Sequence, residues 1–378
     1  MGICWPLARL WARWMLRGNH VITHGLPSPP TGGAIIIANH ASFYDWHLVA
    51  GALGTDRLHV VMTRYFFSNP LFSAVLRKSG CIPKSVFVED KGSAIEMIRV
   101  LKKGGLLLLF PEARLGALSR TETIPEETAR FIKRIGYPLY GVHIDGASLV
   151  SPKWGSIRRG GTIEVKARKL AEGKELSSMS ETEVRDFVGS FLSYDDYAWL
   201  ERHPELHYRS RCGAEGVRNV LWKCPSCGKE GTLTAEGDTI RCSCGFSATI
   251  DDRYRLSSCF PTVQSALEWC VSSLKKEMAS PDWKMEGNCA LTVITGHGKK
   301  PEQGRLSLDH SGLAYQGDTF VSVPREELVL LPFSAGKNFV LFRNGACFVF
   351  VPERVVLVAK WSYAGLLLGA TSATFQTR

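Results

Sequence analysis

A histidine and an aspartate five residues apart form the first pair in this chain whose types and spacing could do chemistry. In Asn39-His40-Ala41-Ser42-Phe43-Tyr44-Asp45 the carboxylate is near enough in sequence to turn back onto the imidazole. A carboxylate bonded to one ring nitrogen fixes the tautomer and leaves the other nitrogen as a general base. Such a dyad could activate a substrate hydroxyl directly, so no serine or cysteine nucleophile is implied. Taken alone the pair says little, because histidine and aspartate at this spacing also serve as surface or capping residues. A second cluster, Phe110-Pro111-Glu112-Ala113-Arg114, would otherwise read as a turn with a solvated ion pair. Sulfur supplies the third. Cys224-Pro225-Ser226-Cys227-Gly228 and Cys242-Ser243-Cys244-Gly245 are two knuckles with fourteen residues between them. Four thiolates so placed can close a tetrahedral zinc site, although one residue between the last two cysteines is fewer than the usual two.

The elements that must position these residues can be read from the apolar runs. Gly32 to Ala38 is a short β-branched run after a Pro/Gly turn, hence a buried strand, and His40 follows its carboxyl end. In α/β sheets that end is where sites are built. Helices are expected over 46–53, 70–78, 92–103 and 180–192, and strands over 58–62, 106–110 and 137–144. Gly104-Gly105 marks the end of one helix, and Glu112 leaves the strand that follows it. Strands alternating with helices to about Val165 give an α/β class with a mostly parallel sheet flanked by helices. Beyond the cysteine-rich stretch, 262–276 reads as a helix. Short β-type runs follow at 290–295, 304–308, 320–323, 328–331, 339–342 and 346–351.

The 378 residues, at roughly 150 per domain, suggest two or three domains. We expect one over 1–210, a ribbon over 211–252 and a β-rich accessory domain over 253–378. With 45% hydrophobic and 22% charged residues, the composition excludes a disordered or collagen-like chain. The formal charge of +10 favours an anionic partner: nucleic acid, a membrane surface or a phosphorylated small molecule. Eleven cysteines, an odd number, with no secretory cleavage pattern fit a reducing cytosol plus a metal site. No apolar run reaches the roughly 20 residues of a membrane span, and Trp361 to Thr377 is too short and too polar. Residues 3–17 form an amphipathic helix with Arg9, Arg13 and Arg17 in one drifting stripe beside Trp11 and Trp14. That is the pattern of an interfacial membrane helix, and also of a helix packed on a core.

At His40, Asp45 and Glu112 the chain resembles the glycerolipid acyltransferases, the lysophosphatidic acid acyltransferase family. Asn39, His40 and Asp45 match that family's first motif, an Asn-His, then four residues and an Asp. Phe110, Pro111, Glu112 and Arg114 match its third, with Ala113 for the usual glycine. The second motif sets an arginine six residues after a glycine. Counted from Gly80 that position is Val86, and Lys84 could supply the charge. Arg64 fits a basic residue ahead of that motif and Pro138 a proline ahead of the last strand. The resemblance spans roughly residues 15–170.

It implies a membrane-associated acyltransferase that moves a fatty acyl group from acyl-coenzyme A or acyl-carrier protein to a lysophospholipid hydroxyl. The expected acceptor is 1-acylglycerol-3-phosphate. His40 would be the base and Asp45 its orienting carboxylate, with backbone N–H groups near the next helix start stabilising the oxyanion. Arg64, Lys84 and Arg114 would hold the acceptor phosphate, and Asn39 and Glu112 would sit in the substrate site. The expected location is the cytoplasmic face of the membrane, without a transmembrane helix. For the ribbon, one structural Zn2+ held by Cys224, Cys227, Cys242 and Cys244 is expected. Its inter-knuckle loop has two basic residues against Glu230, Glu236 and Asp238, which argues against nucleic acid and for a structural or docking role. The alternative reading is an inactive acyltransferase-like binding protein that uses the ribbon and C-terminal domain to engage a partner.

Overall fold

The apolar runs beside His40 and Glu112 become central strands of one sheet in the computed structural model, which describes residues 4–86, 88–122, 124, 126–295, 300–328 and 331–369. The chain divides into two units, residues 1–152 with 158–209, and residues 153–157 with 210–378. In the first unit, α1 (Cys4–Met15) and β1 (His20–His24) precede β2 (Ala34–Ala38), α2 (Asp45–Leu53) and β3 (Leu58–Thr63). A 3-10 turn (Arg64–Phe67) leads into α3 (Pro70–Lys78) and β4 (Ile82–Lys84). Next come α4 (Lys91–Lys102), β5 (Leu106–Leu109), α5 (Glu126–Ile135), β6 (Leu139–Asp145) and α6 (Ala147–Val150). The unit ends with β7 (Thr162–Ala171), α7 (Gly173–Ser178), α8 (Glu181–Leu192) and α9 (Asp196–Arg202).

The strand order is β1-β7-β6-β2-β5-β3-β4. Every neighbouring pair is parallel except β6 with β7. Strands β2 and β5 are buried along their whole length, as the continuous apolar runs of a sheet covered on both faces require. Ile35, Ile37, Leu107 and Leu109 pack with Met97 and Leu101 of α4, Ile132 of α5 and Val188 of α8. The alternating Ile36 and Leu108 lie outside that cluster, and α2 covers β6 and β7 from the other face. Each such side chain stabilises the fold by roughly 1.5–3 kcal/mol when fully buried.

The expected helices and strands of this unit are present, with ends displaced by a residue or two. Several elements escaped the sequence pattern: β1, whose five residues are all exposed, β4, which has only three, α5, whose fully buried stripe is Ala129 and Ile132, and the short helices α6, α7 and α9. Strand β7 also runs on to Ala171, past Val165.

In the second unit, β8 (Leu233–Glu236), β9 (Thr239–Cys242) and β10 (Ser247–Thr249) make a three-stranded antiparallel ribbon. After α10 (Val263–Glu277) come β11 (Lys284–Ile294), β12 (Glu302–Asp309), β13 (Gly312–Gln316) and β14 (Phe320–Pro324). Strands β15 (Phe333–Ser334), β16 (Asn338–Arg343) and β17 (Ala346–Pro352) complete an antiparallel sheet in the order β14-β13-β12-β11-β17-β16-β15. The strand expected over 328–331 falls partly on residues 329–330, outside the described residues, and Leu328 and Leu331 belong to no strand. The uncharged tail begins as helix α11 (Val358–Gly369), which is buried nearly all round against this sheet. Its one cation, Lys360, is 8% exposed and donates to Glu230 at 2.6 Å and Glu277 at 3.1 Å. Lys223 meets the same Glu277 at 2.5 Å, so a paired charge cluster ties the ribbon to α10 and α11. Among the described residues no helix is long and apolar enough to cross a membrane.

Candidate active site and candidate metal centre

Parallel strands bring the sequence candidates to one edge. His40 follows the carboxyl end of β2, Glu112 that of β5 and Arg64 that of β3, while Lys84 is the last residue of β4. Since β2, β5, β3 and β4 are neighbours, the four residues stand along one side of the sheet. His40 Nδ1–H donates to Asp45 Oδ2 at 2.9 Å. Asp45 is fully buried and also accepts from the Ser42 amide at 3.0 and 2.9 Å and from the Ser42 hydroxyl at 2.6 Å. With the carboxylate so held, Nε2 of the ring is left to act as base. Phe110 stacks on the imidazole at 4.3 Å and 22°, limiting its rotation.

Glu112 works on the backbone. Its two oxygens accept the His40 N–H at 3.0 Å and the Glu122 N–H at 3.1 Å, bridging two loops. Burial pushes its carboxyl up to about 8, against the pull of those two amides. The turn that presents it places Ala113 at φ +58°, a left-handed conformation that glycine adopts without strain. The Tyr194 hydroxyl donates to the His40 carbonyl at 3.4 Å from the far end of the unit.

The other expected substrate residues divide sharply. Asn39 is fully buried, and its amide donates to Ile144 O and accepts from Ile144 N, both at 2.8 Å. It clamps β2 to β6 and has no surface to offer a substrate, which corrects its assignment to the substrate site. Arg114 is likewise turned inward, 2% exposed and ion-paired with Glu122, so it does not stand open to a phosphate. Arg64 is half-committed: Nε donates to Ser85 Oγ at 3.0 Å and Nη2 to Asp90 Oδ2 at 2.9 Å. Burial alone would raise the Asp90 carboxyl, but the Ser85 and Ser93 amides and Arg64 hold it well below the usual carboxylate range. Lys84 is half-buried and makes no hydrogen bond or ion pair among the described residues. Burial lowers its ammonium, partly offset by Asp90 and Glu127. Val86, where the family resemblance sets an arginine, is a buried core residue.

Residues 20–158 match the Acyltransferase family model. That segment contains the dyad, Glu112 and all three cations. One similar solved structure is the 1-acyl-sn-glycerophosphate (LPA) acyltransferase PlsC from Thermotoga maritima. It is 19% identical, covers 53% of this chain and 79% of that one, and has a TM-score of 0.44. A comparison with curated proteins gives no match.

Within the acyltransferase segment, sequence reasoning missed Ser42 and Phe110, and beyond it Tyr194. Ser42 was legible as a hydroxyl three residues before an aspartate, a common local capping pattern. The contact of Tyr194 with His40 spans 154 residues and has no sequence signal. The amides expected near the next helix start are partly spent, since Ser42 N–H goes to Asp45 and Tyr44 N–H to Ser42 Oγ at 3.2 Å.

The second unit assembles its cysteines from two similar turns. Gly228 N–H donates to Cys224 O at 2.9 Å and Gly245 N–H to Cys242 O at 3.1 Å, with both glycines at positive φ. The four sulfurs of Cys224, Cys227, Cys242 and Cys244 lie within 4.8 Å of one another and could hold a metal ion. Sγ separations are 3.7 Å for Cys224–Cys244 and 3.9 Å for Cys227–Cys242. A tetrahedron with Zn–S near 2.3 Å has sulfurs roughly 3.8 Å apart, so the donor set fits.

Proposed function

We propose that the chain transfers a fatty acyl group from a thioester, on coenzyme A or acyl-carrier protein, to the free hydroxyl of a lysophospholipid at the cytoplasmic face of a membrane. The first acceptor to test is 1-acylglycerol-3-phosphate. The observation that carries this reading is the 2.9 Å bond between His40 Nδ1 and Asp45 Oδ2 at the carboxyl end of β2. Nε2 takes the acceptor's hydroxyl proton as its oxygen attacks the thioester carbonyl. The tetrahedral intermediate expels the thiolate, which recovers the proton from the imidazolium. Asp45 stabilises the imidazolium, and a general base of this kind contributes roughly 10²–10⁴ in rate.

Glu112 fixes the His40 backbone rather than touching the acceptor. Lys84, an uncommitted half-buried ammonium, is the principal phosphate contact, with Arg64 beside it. Helix α1 supplies membrane affinity through its exposed Trp14 and its arginines. Cys224, Cys227, Cys242 and Cys244 would hold one structural zinc; thiolates fill all four positions, leaving none for water. An assay of purified protein on a panel of lysolipids, with thioesters on both coenzyme A and carrier protein, tests the reading. Transfer to the lysolipid hydroxyl that disappears in His40→Ala supports it, and undiminished transfer by that variant overturns it.

A further inference from the structure

Helix α3 is folded but has no buried residue. Its start is well made: Asn69 Oδ1 accepts from the amides of Leu71 at 3.0 Å and Phe72 at 3.1 Å, and Pro70 opens the first turn. A helix of nine residues is marginal in water without a packed face. Yet its apolar side chains point outward, with Leu71 83%, Phe72 49% and Val75 45% exposed. Positions three and four apart are neighbours on a helix, and Phe72 and Leu71 precede Val75 by three and four residues, so both border Val75 on one face.

A second apolar surface is also exposed. On α1, Leu10 is 65% and Trp14 63% exposed. Between the two helices lies the loop that follows His40. Its Phe43, 47% exposed, meets Phe66 of the 3-10 turn at 6.1 Å, and the adjoining Tyr44 meets Trp11 of α1 at 5.7 Å. The rim is cationic: Arg13 on α1, Arg17 just beyond it, and Arg77 and Lys78 on α3 are all exposed. No aspartate or glutamate occurs before Asp45 or between Asp56 and Glu89.

We propose that α3 is a second membrane-inserting element, seated with α1 in the interface of an anionic bilayer so that the His40 loop lies at the lipid surface. Apolar residues under a predominantly basic rim, in which Asp56 is paired with Arg9, are complementary to a surface with anionic headgroups above acyl chains. Aromatic rings between the two helices suit the headgroup level. The proposal rests on the acyltransferase reading for its purpose but not for its test.

The test uses the full chain with vesicles of phosphatidylcholine, with and without phosphatidylglycerol, and no substrate. The intact protein is expected to sediment with the anionic vesicles, and Leu71→Glu/Phe72→Glu/Val75→Glu to weaken that partition at least about tenfold. The same variant acylates a soluble short-chain acceptor as the wild type does. Hydrogen exchange on the unsubstituted protein adds a readout free of any folding defect: amides of residues 70–78 slow when anionic vesicles are added. Unchanged sedimentation of the triple variant, or unchanged exchange over 70–78, overturns the proposal. So does a variant that turns a wild-type dimer into a monomer while still binding vesicles, which would assign the face to a second copy. Wild-type protein that binds vesicles through α3 yet acylates nothing supports this surface and overturns the acyltransferase reading.

Discussion

The dyad edge and the cysteine ribbon both hold reactive groups in fixed geometry, by opposite routes. The ribbon draws its four sulfurs from two tight turns between Cys224 and Cys244 and adds three short strands. The edge gathers His40, Lys84, Glu112 and Tyr194 from three strand ends and a distant loop. Geometry at the edge is inherited from a sheet whose core is elsewhere, so a side chain can be removed there without loss of the fold. In the ribbon the four cysteines, as the proposed zinc ligands, would themselves be a large part of what holds the strands together. Removing one ligand should therefore be a folding event in the ribbon and a purely chemical event at the edge.

The largest expected effect tests the ribbon side of that contrast. Cys224→Ser should lose the metal and unfold residues from about 220 to 250, because structural zinc contributes on the order of 10 kcal/mol or more to such modules. Elemental analysis should find one zinc per chain in the wild type and none in the variant, with His40 chemistry intact. A metal-free wild type would remove the site altogether.

Next comes the edge. His40→Ala should abolish acyl transfer, and Asp45→Asn should reduce it by roughly 10²-fold or more by favouring the wrong tautomer, with melting temperature and metal content of His40→Ala unchanged. If unfolding of His40→Ala moved together with activity, the edge would behave like the ribbon and the distinction would fail.

A smaller effect separates two cations that look alike in the sequence. Arg114→Ala strands the mostly buried Glu122 and should cost up to roughly 3–5 kcal/mol of stability. Lys84→Ala should leave stability nearly unchanged and raise KM for a phosphate-bearing lysolipid about tenfold, with little effect on the thioester. Denaturant titration and steady-state kinetics on both variants check the assignment, and exchanged phenotypes would reverse it.

The smallest effect is a pH slope. The Glu112 carboxyl sits at about 8 instead of the usual 4.5, so folding favours its protonated form. That contribution is complete below about 4.5, falls as the pH rises, and is lost above about 8. Glu112→Gln, an isostere of the protonated acid, removes it. The stability of the wild type minus that of the variant should fall by up to about 1.4 kcal/mol per pH unit in this window. A difference independent of pH would show that Glu112 is ionised in the folded protein.

Legibility followed the range of the interaction. The dyad, the knuckles and the apolar strands could be read because each depends on residues within a few positions of one another. Strand β1 could not, since all its residues are exposed and its place comes only from pairing with β7. The tail from Trp361 read as an uncharged, half-polar stretch, yet its small and aromatic residues up to Gly369 are what a helix buried nearly all round requires. Asn39 and Arg114 were sited correctly along the chain and misjudged in role, because a motif position does not say which way a side chain faces.

The sequence by itself determined the class of sheet, the His40–Asp45 pairing and which four cysteines come together as a possible metal site, because short spacings and side-chain periodicity act before any long-range contact exists. Tertiary structure alone decided which charges remain open. Pairing Arg114 with Glu122, Arg64 with Asp90 and Lys360 with Glu230 and Glu277 requires segments far apart in the chain to meet. Burial makes such pairing obligatory, since an unpaired charge in a low-dielectric interior costs far more than one in water. The Lys84 side chain has no hydrogen-bond or ion-pair partner among the described residues, and Asp90, a carboxylate whose charge reaches it, is taken by Arg64.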